Sequence, residues 1–271
     1  MIRWDGGEPI ELDRPSGLQW IRVVVRASLG VITIATLMVP MMLFRAAGAW
    51  RIGQRIVRTA CWICLKIIGL PVTTKGKPMK HAGVVVANHS SWLDILTLHV
   101  CHNVFFASKD EVKSWPAIGF MARSAGTLFI KRERTDARRQ HDLFLEHALK
   151  GHKLLFFPEG TSTDGLHVLP FKSSLFGAFF SPDLADRMWV QPVTALYYGP
   201  AGKRHDFYGW WGDMGLLEHM GHVLSQRKQG RLEIVFHEPL KITDYSDRKK
   251  LTQDVWQAVA DGMPFRVPND A

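Results

Sequence analysis

The chain has 271 residues, enough for one large domain or a domain with an anchoring segment, and 46% hydrophobic against 22% charged residues argues against disorder. The formal charge of +9 is localised: residues 1–80 hold twelve Lys/Arg and four Asp/Glu, and the remainder holds 22 and 21. Basic charge beside apolar sequence points to an anionic membrane surface; a nucleic-acid binder would carry that charge on its folded domain, among exposed aromatics.

Three cysteines make no disulfide framework. Cys61 and Cys64 form a C-x-x-C pair, but in an apolar stretch without the strand–helix context of a redox motif. A structural zinc site needs about four ligands, so neither a metal nor a redox role is expected, and both read as small packing residues.

From Ala27 to Phe44 the chain runs without a charge, flanked by Arg22 and Arg26 before it and by Arg45, Arg51, Arg55 and Arg58 after it. A helix of that length covers roughly 27 Å, marginal for a bilayer core of about 30 Å, and Pro40 should kink or divide it. A second apolar stretch, Thr59 to Leu70, is too short to cross alone. Three readings stand: a secretory signal cleaved after Ala47-Gly48-Ala49, one transmembrane span, or two helices lying partly in one leaflet with arginines reaching the headgroups. The long, partly acidic stretch before the run disfavours the first.

Pro71 to His81 reads as a connector. Short apolar runs then predict strands at 83–87, 104–107, 127–130, 153–157, 190–196 and 232–236. Helical patterns fall near 91–101, 112–123, 135–150, 173–180, 214–228 and 246–261, the third starting at Thr135 and stopping at Gly151. The alternation predicts an α/β fold with a mostly parallel central sheet flanked by helices. The expected division is residues 1–75 as a membrane-associated helical segment with its connector, and residues 76–271 as the α/β domain. Functional groups in such sheets sit beyond the carboxyl ends of strands, where two runs end in reactive residues: Asn88-His89-Ser90-Ser91-Trp92-Leu93-Asp94 and Pro158-Glu159-Gly160-Thr161.

His89 and Asp94 are five apart, about 500° around a regular helix, so they cannot share a helical face. They meet if His89 lies on the loop and Asp94 in the first turn of the next helix, where the carboxylate can orient the imidazole as a base. The competing reading makes Ser91-x-x-Asp94 a helix-capping box.

Asn88-His89-x4-Asp94, Gly126-x-x-Phe129-Ile130-x-Arg132, Phe157-Pro158-Glu159-Gly160-Thr161 and Pro192 within Val190–Val193 occur in one order. Together they resemble the four motifs of the glycerolipid acyltransferase family, typified by 1-acylglycerol-3-phosphate acyltransferases, over roughly residues 80–240. The resemblance implies that His89 deprotonates the acceptor hydroxyl while Asp94 orients it, and that this hydroxyl attacks the thioester of acyl-CoA or acyl carrier protein directly. No Gly-x-Ser-x-Gly elbow is present to supply a serine nucleophile. It implies no bound cofactor beyond the acyl donor, and a membrane setting, in a bacterial inner membrane with the catalytic domain on its cytoplasmic face. It places Arg132, Glu159, Gly160, Thr161 and Ser162 around the acceptor headgroup: Arg132 has the charge and fork for a phosphate, Glu159 can accept from a glycerol hydroxyl, and Gly160 allows a tight turn exposing N–H groups.

Two departures bear on the acceptor. Ser162 stands where family members acting on lysophosphatidate commonly carry Arg, and Ser174 where a Gly often follows Phe171-Lys172. Lysophosphatidate is the expected acceptor and lyso-ornithine lipid the alternative. Other readings are a non-catalytic lipid-binding protein and a thioesterase-like hydrolase. The basic stretch from Lys131 to Arg139 reads as a headgroup or carrier-protein landing site, or as a solvated helix face; Phe207 to Trp211 reads as a membrane-interface rim or as core.

Overall fold

The computed structural model describes residues 4–6, 11–130 and 137–264. Two helices, α1 (Leu18–Ala46) and α2 (Trp50–Ile68), form an N-terminal hairpin. α1 is not divided at Pro40, because one proline removes a single hydrogen bond from a ladder of 29 residues. α2 ends where Gly69 turns left-handed (φ 83°) and Leu65 accepts from the N–H groups of Gly69 and Leu70.

The strands follow as β1 (Val72–Lys75), β2 (Gly83–Ala87), β3 (Phe105–Lys109), β4 (Leu128–Ile130), β5 (Lys153–Phe156), β6 (Trp189–Tyr198), β7 (Arg231–Phe236) and β8 (Leu240–Lys241). Between or after them lie α3 (Leu93–Cys101), α4 (Ile118–Ala125), α5 (Ala137–Leu149), α6 (Pro182–Ala185), α7 (Leu216–Ser225) and α8 (Arg248–Asp261). The sheet order is β1-β7-β6-β2-β5-β3-β4, with β8 also on β6. All pairings are parallel except β6 with β7 and β6 with β8. The expected α/β fold is therefore what forms.

All five residues of β2 are buried, as a central parallel strand covered on both faces requires. Alternate side chains divide between two cores. Val85 and Ala87 pack with Leu65 of α2, Leu93 and Leu98 of α3 and Val223 of α7. Val84 and Val86 pack with Phe144 of α5 and Leu251, Val255 and Val259 of α8.

Each predicted strand forms within two residues of its expected ends. Val72–Lys75, expected in the connector, instead pairs in parallel with β7 at the sheet edge. The 112–123 pattern breaks into a 3-10 turn (Asp110–Ser114) and α4, with Pro116 between them, and 173–180 coils as 3-10 turns. Thr135 lies outside the described residues. Phe207, Tyr208 and Trp211 are buried and belong to the core, while Trp210 is half-buried.

The hairpin is docked through its charges. Arg26 donates from Nη1 to the carbonyls of Leu224 (2.8 Å) and Gln226 (2.7 Å), and Arg22 donates to that of Ser225. These are the carbonyls that the end of α7 leaves open, where a cation also meets the negative end of the helix dipole. At the far end of α1, Arg45 donates to Ser124 O at 2.7 Å, at the end of α4. Meanwhile Val24, Val25, Leu29, Val31, Ile32, Val39, Leu43 and Phe44 stay exposed, and α1 is long and apolar enough to cross a membrane.

Replacing Arg26 with Ala removes two charge-assisted bonds, so stability should fall by about 1.5–3 kcal/mol. Denaturant unfolding in mild detergent checks this; a variant as stable as the parent would show that the Arg26 bonds do not hold the hairpin.

Candidate active site

The site is built where β2 ends. Asn88 continues the strand with its side chain: Oδ1 accepts from Ala195 N (2.8 Å) and Nδ2 donates to Ala195 O (3.1 Å), so the amide behaves as one more peptide against β6. The chain then turns, and α3 begins at Leu93 with Asp94 as its second residue. Asp94 Oδ2 accepts three bonds: from His89 Nδ1 (2.7 Å), Ser90 N (2.8 Å) and Ser91 N (2.9 Å). Oδ1 accepts from the Tyr197 hydroxyl at 2.5 Å. The His89–Asp94 contact is thus present, but the capping box only by half: Asp94 Oδ2 takes the Ser91 N–H, while the Ser91 hydroxyl is buried without a partner and α3 carries no side-chain cap.

A carboxylate can only accept, so His89 carries its proton on Nδ1 and keeps the lone pair of Nε2 for other work. The ring lies flat on Phe157 (centroids 4.1 Å apart, planes 9°) and keeps 21% of its surface exposed, while Asp94 is wholly buried. Burial and the neighbouring Asp94 charge push the Tyr197 phenol well above its ordinary pKa, so it remains a donor.

Glu159 lies beneath this loop, 2% exposed. Its Oε1 accepts from His89 N (2.7 Å) and its Oε2 from Leu169 N (2.9 Å). Burial pushes its pKa up to about 8, aided by the charges of Asp94 and Asp164 and opposed by the two N–H donors. The carboxyl group expected to meet a substrate hydroxyl is bonded to the backbone of His89 and of Leu169.

Gly160 takes the left-handed conformation expected of it (φ 79°), but its N–H is bonded to Phe157 O (3.2 Å) rather than exposed. Thr161 and Ser162 are half-buried, and the Ser162 hydroxyl donates to Trp210 O. Arg132 lies outside the described residues.

Two contributors were not foreseen. Tyr197 sits at the carboxyl end of β6, the strand beside β2, and only that adjacency marks it. Trp92 donates from Nε1 to His219 Nδ1 (3.0 Å), tying the loop to α7. Burial, and the neighbouring His222, hold the His219 pKa down to about 3, so the ring stays neutral and able to accept. Neither carries a motif signal, since both arise from packing.

With this geometry in view, the comparisons with known proteins are decisive. The Acyltransferase family pattern matches residues 70–196. A lyso-ornithine lipid O-acyltransferase of Rhodobacter capsulatus is 50% identical over 211 residues, covering 78% of this chain and 76% of the relative. The chain belongs to the acyltransferase family. A 1-acyl-sn-glycerol-3-phosphate acyltransferase of Neisseria gonorrhoeae is 35% identical over 162 residues, 59% of this chain and 62% of that one. The crystal structure of the 1-acyl-sn-glycerophosphate (LPA) acyltransferase from Thermotoga maritima shares the fold, with a TM-score of 0.65 over 90% of this chain and 96% of that chain, at 19% identity. Residues of the first and third motifs meet where β2 and β5 end, Glu159 on His89 N and Phe157 on the His89 ring.

Two outcomes test this geometry. Tyr197→Phe should lower kcat about tenfold or more while leaving acceptor KM nearly unchanged, because a buried carboxylate loses a donor; steady-state kinetics decide it, and an unaltered kcat would remove Tyr197 from the site. The second concerns Glu159. It binds its proton more tightly when folded (about 8) than at its ordinary value of 4.5. Its contribution is therefore full below about pH 4.5 and lost as pH rises towards 8. Glu159→Gln, which cannot ionise, should lower the Tm overall and flatten its decline across that window; an unchanged slope would show that Glu159 does not titrate there.

Proposed function

We propose that this acyltransferase moves a fatty acyl chain from a thioester to the free hydroxyl of lyso-ornithine lipid, using His89 as general base. The observation that carries the chemistry is the His89 Nδ1–Asp94 Oδ2 bond of 2.7 Å, which leaves Nε2 as the proton acceptor beside solvent. Nε2 takes the proton of the acceptor hydroxyl as its oxygen attacks the thioester carbonyl. The tetrahedral adduct expels the thiolate, which recovers the proton from the imidazolium, so the histidine ends as it began. Asp94 stays ionised throughout and stabilises the imidazolium; acyl-CoA and acyl carrier protein both satisfy this scheme.

Support for the acceptor comes from the relatives. Proteins of Rhizobium meliloti and Pseudomonas aeruginosa, 30% and 35% identical, carry the same lyso-ornithine lipid name as the Rhodobacter relative and, like it, are covered by this chain over more than three quarters of their length. Ser162 supports it too, since a cation there would repel an ornithine ammonium. The second reading, lysophosphatidate, is favoured by the Neisseria relative and the shared Thermotoga fold.

The site works at a membrane surface, with the hairpin lying along one leaflet. α1 is tied to the domain near both ends, through Arg22 and Arg26 on α7 and Arg45 on α4, while its apolar side faces outward. Arg51, Arg55 and Arg58 of α2 are exposed as well, placed to meet anionic headgroups.

Purified protein offered lyso-ornithine lipid and lysophosphatidate in parallel, with each donor, should acylate the former with the higher kcat/KM; a preference for lysophosphatidate would move the assignment to the second reading. His89→Ala should cost about 10²–10⁴ in rate with folding unchanged, and a well-folded, active variant would sink the base mechanism.

A further inference from the structure

β3 continues into an apolar tip that the chemistry above does not use. The strand runs parallel to β5, and the Phe106 ring lies 5.9 Å from that of Phe157, on which His89 is stacked. β3 therefore ends at the same edge of the sheet as the loop that carries His89. Beyond it the 3-10 turn Asp110–Ser114 leads through Trp115, Pro116 and Ala117 into α4, and residues 114–122 include no charge. Trp115 and Phe120 are 36% and 46% exposed, and Pro116 and Ala117 between them are exposed too. Single exposed hydrophobics are ordinary on a protein surface, but a run of them around two aromatic rings is not.

This tip is tightly built. Ala117 has φ 59° and ψ −52°, the one positive φ of a non-glycine residue among the described residues, and Ile118 N donates to Pro116 O at 2.6 Å. That is a γ-turn of the rare, strained kind. It folds α4 back on the 3-10 turn. There Arg123 Nη1 donates to Lys113 O (2.7 Å), and a Cβ at Gly119 would lie 2.3 Å from the same oxygen. Backbone strain is thus tolerated in a turn whose aromatic side chains stay open to solvent.

The tip also adjoins the hairpin. Arg45 of α1 donates to Ser124 O, and Gln54 of α2 to Ala125 O (3.4 Å), so both helices grip the end of α4. Phe120 stands one turn, about 5.4 Å, before Ser124. On the other side of that contact, Leu43 and Phe44 next to Arg45 are exposed and end the apolar face of α1. Lys113 and Arg123 are exposed at the margins of the tip, and Asp110 and Glu111 lie towards β3.

We propose that the tip at 115–120 inserts into the same phospholipid leaflet as the hairpin and turns the His89 end of the sheet towards the bilayer. The occupant is lipid because the tip continues the apolar surface of α1 and keeps its charges at its margins, where long basic side chains reach headgroups. The inference rests on the reading of the hairpin as lying along one leaflet, and adds to it a contact made by the folded domain.

The test uses the full chain on vesicles of phosphatidylcholine and phosphatidylglycerol, with a bimane label at Phe120→Cys or, on α1, at Ile32→Cys. Each carries Cys101→Ser, since Cys61 and Cys64 are buried. Nitroxide-bearing lipids should quench both labels. Quenching at 32 but not at 120 would overturn the tip contact and leave the hairpin reading standing. Quenching at neither would overturn the hairpin reading, and the tip contact with it.

Activity gives an independent measure. Trp115→Asp with Phe120→Asp should lower kcat/KM for a lysolipid embedded in the vesicles about tenfold or more, as large apolar side chains leave the bilayer. A short-chain lysolipid dissolved below its micellar concentration should be acylated as before. Trp115→Leu with Phe120→Leu should keep both activities. Equal losses on dissolved and embedded acceptors would assign the tip to the fold or the site, and overturn the membrane contact.

Discussion

One buried carboxylate oxygen organises the candidate site of this protein. Asp94 Oδ2 gathers two backbone N–H groups and the Nδ1–H of His89 within 2.9 Å, and Oδ1 takes the Tyr197 hydroxyl. An ionised carboxylate inside a protein is costly unless each oxygen is hydrogen-bonded, and these donors meet that requirement. Because the donors come from the loop after β2 and the end of β6, and the carboxylate from the start of α3, satisfying the charge also determines where those elements sit. The imidazole is oriented as a consequence, so catalytic geometry and local stability share one cause.

Support spreads outward from that centre through the backbone. Glu159 holds His89 from below, Thr163 bonds its carbonyl, and Trp210 bonds the carbonyl of Ser90. The result is a loop whose peptide groups are taken up on each side while the imidazole edge remains open. A base needs that combination, since an unsupported loop would lose the alignment that makes proton transfer efficient. Trp92 and His219 extend the support to α7, whose final carbonyls are in turn held by Arg22 and Arg26 of α1. A continuous path of hydrogen bonds and packed helix therefore links the apolar surface of the hairpin to the turn that carries the base.

The two ends of α1 show how charge placement serves two tasks. Arg22, Arg26 and Arg45 flank the apolar run, as they would beside any membrane segment, yet each is spent on open carbonyls at the ends of α7 and α4. Arg51, Arg55 and Arg58 of α2 stay exposed. Flanking charge alone does not tell these uses apart, because the distinction depends on which helix ends the hairpin meets.

Much of the protein is legible without a structure. The alternation of short apolar runs with helical patterns determined the α/β class, since residues buried on both faces of a parallel strand must be uniformly apolar, as in Val84–Ala87. The spacing of His89 and Asp94 allowed them to meet across a loop and a helix start while leaving the capping reading open, and the 2.7 Å bond appears only in the folded chain. Tertiary structure alone decided what depends on packing between distant segments. It placed Tyr197 against Asp94, and bonded Glu159 to the backbone of His89 and Leu169. It buried Phe207, Tyr208 and Trp211 and set Val72–Lys75 at the sheet edge beside β7. A local pattern records which side chains a segment must bury, and the partner that receives each polar group appears only when strands far apart in sequence become neighbours.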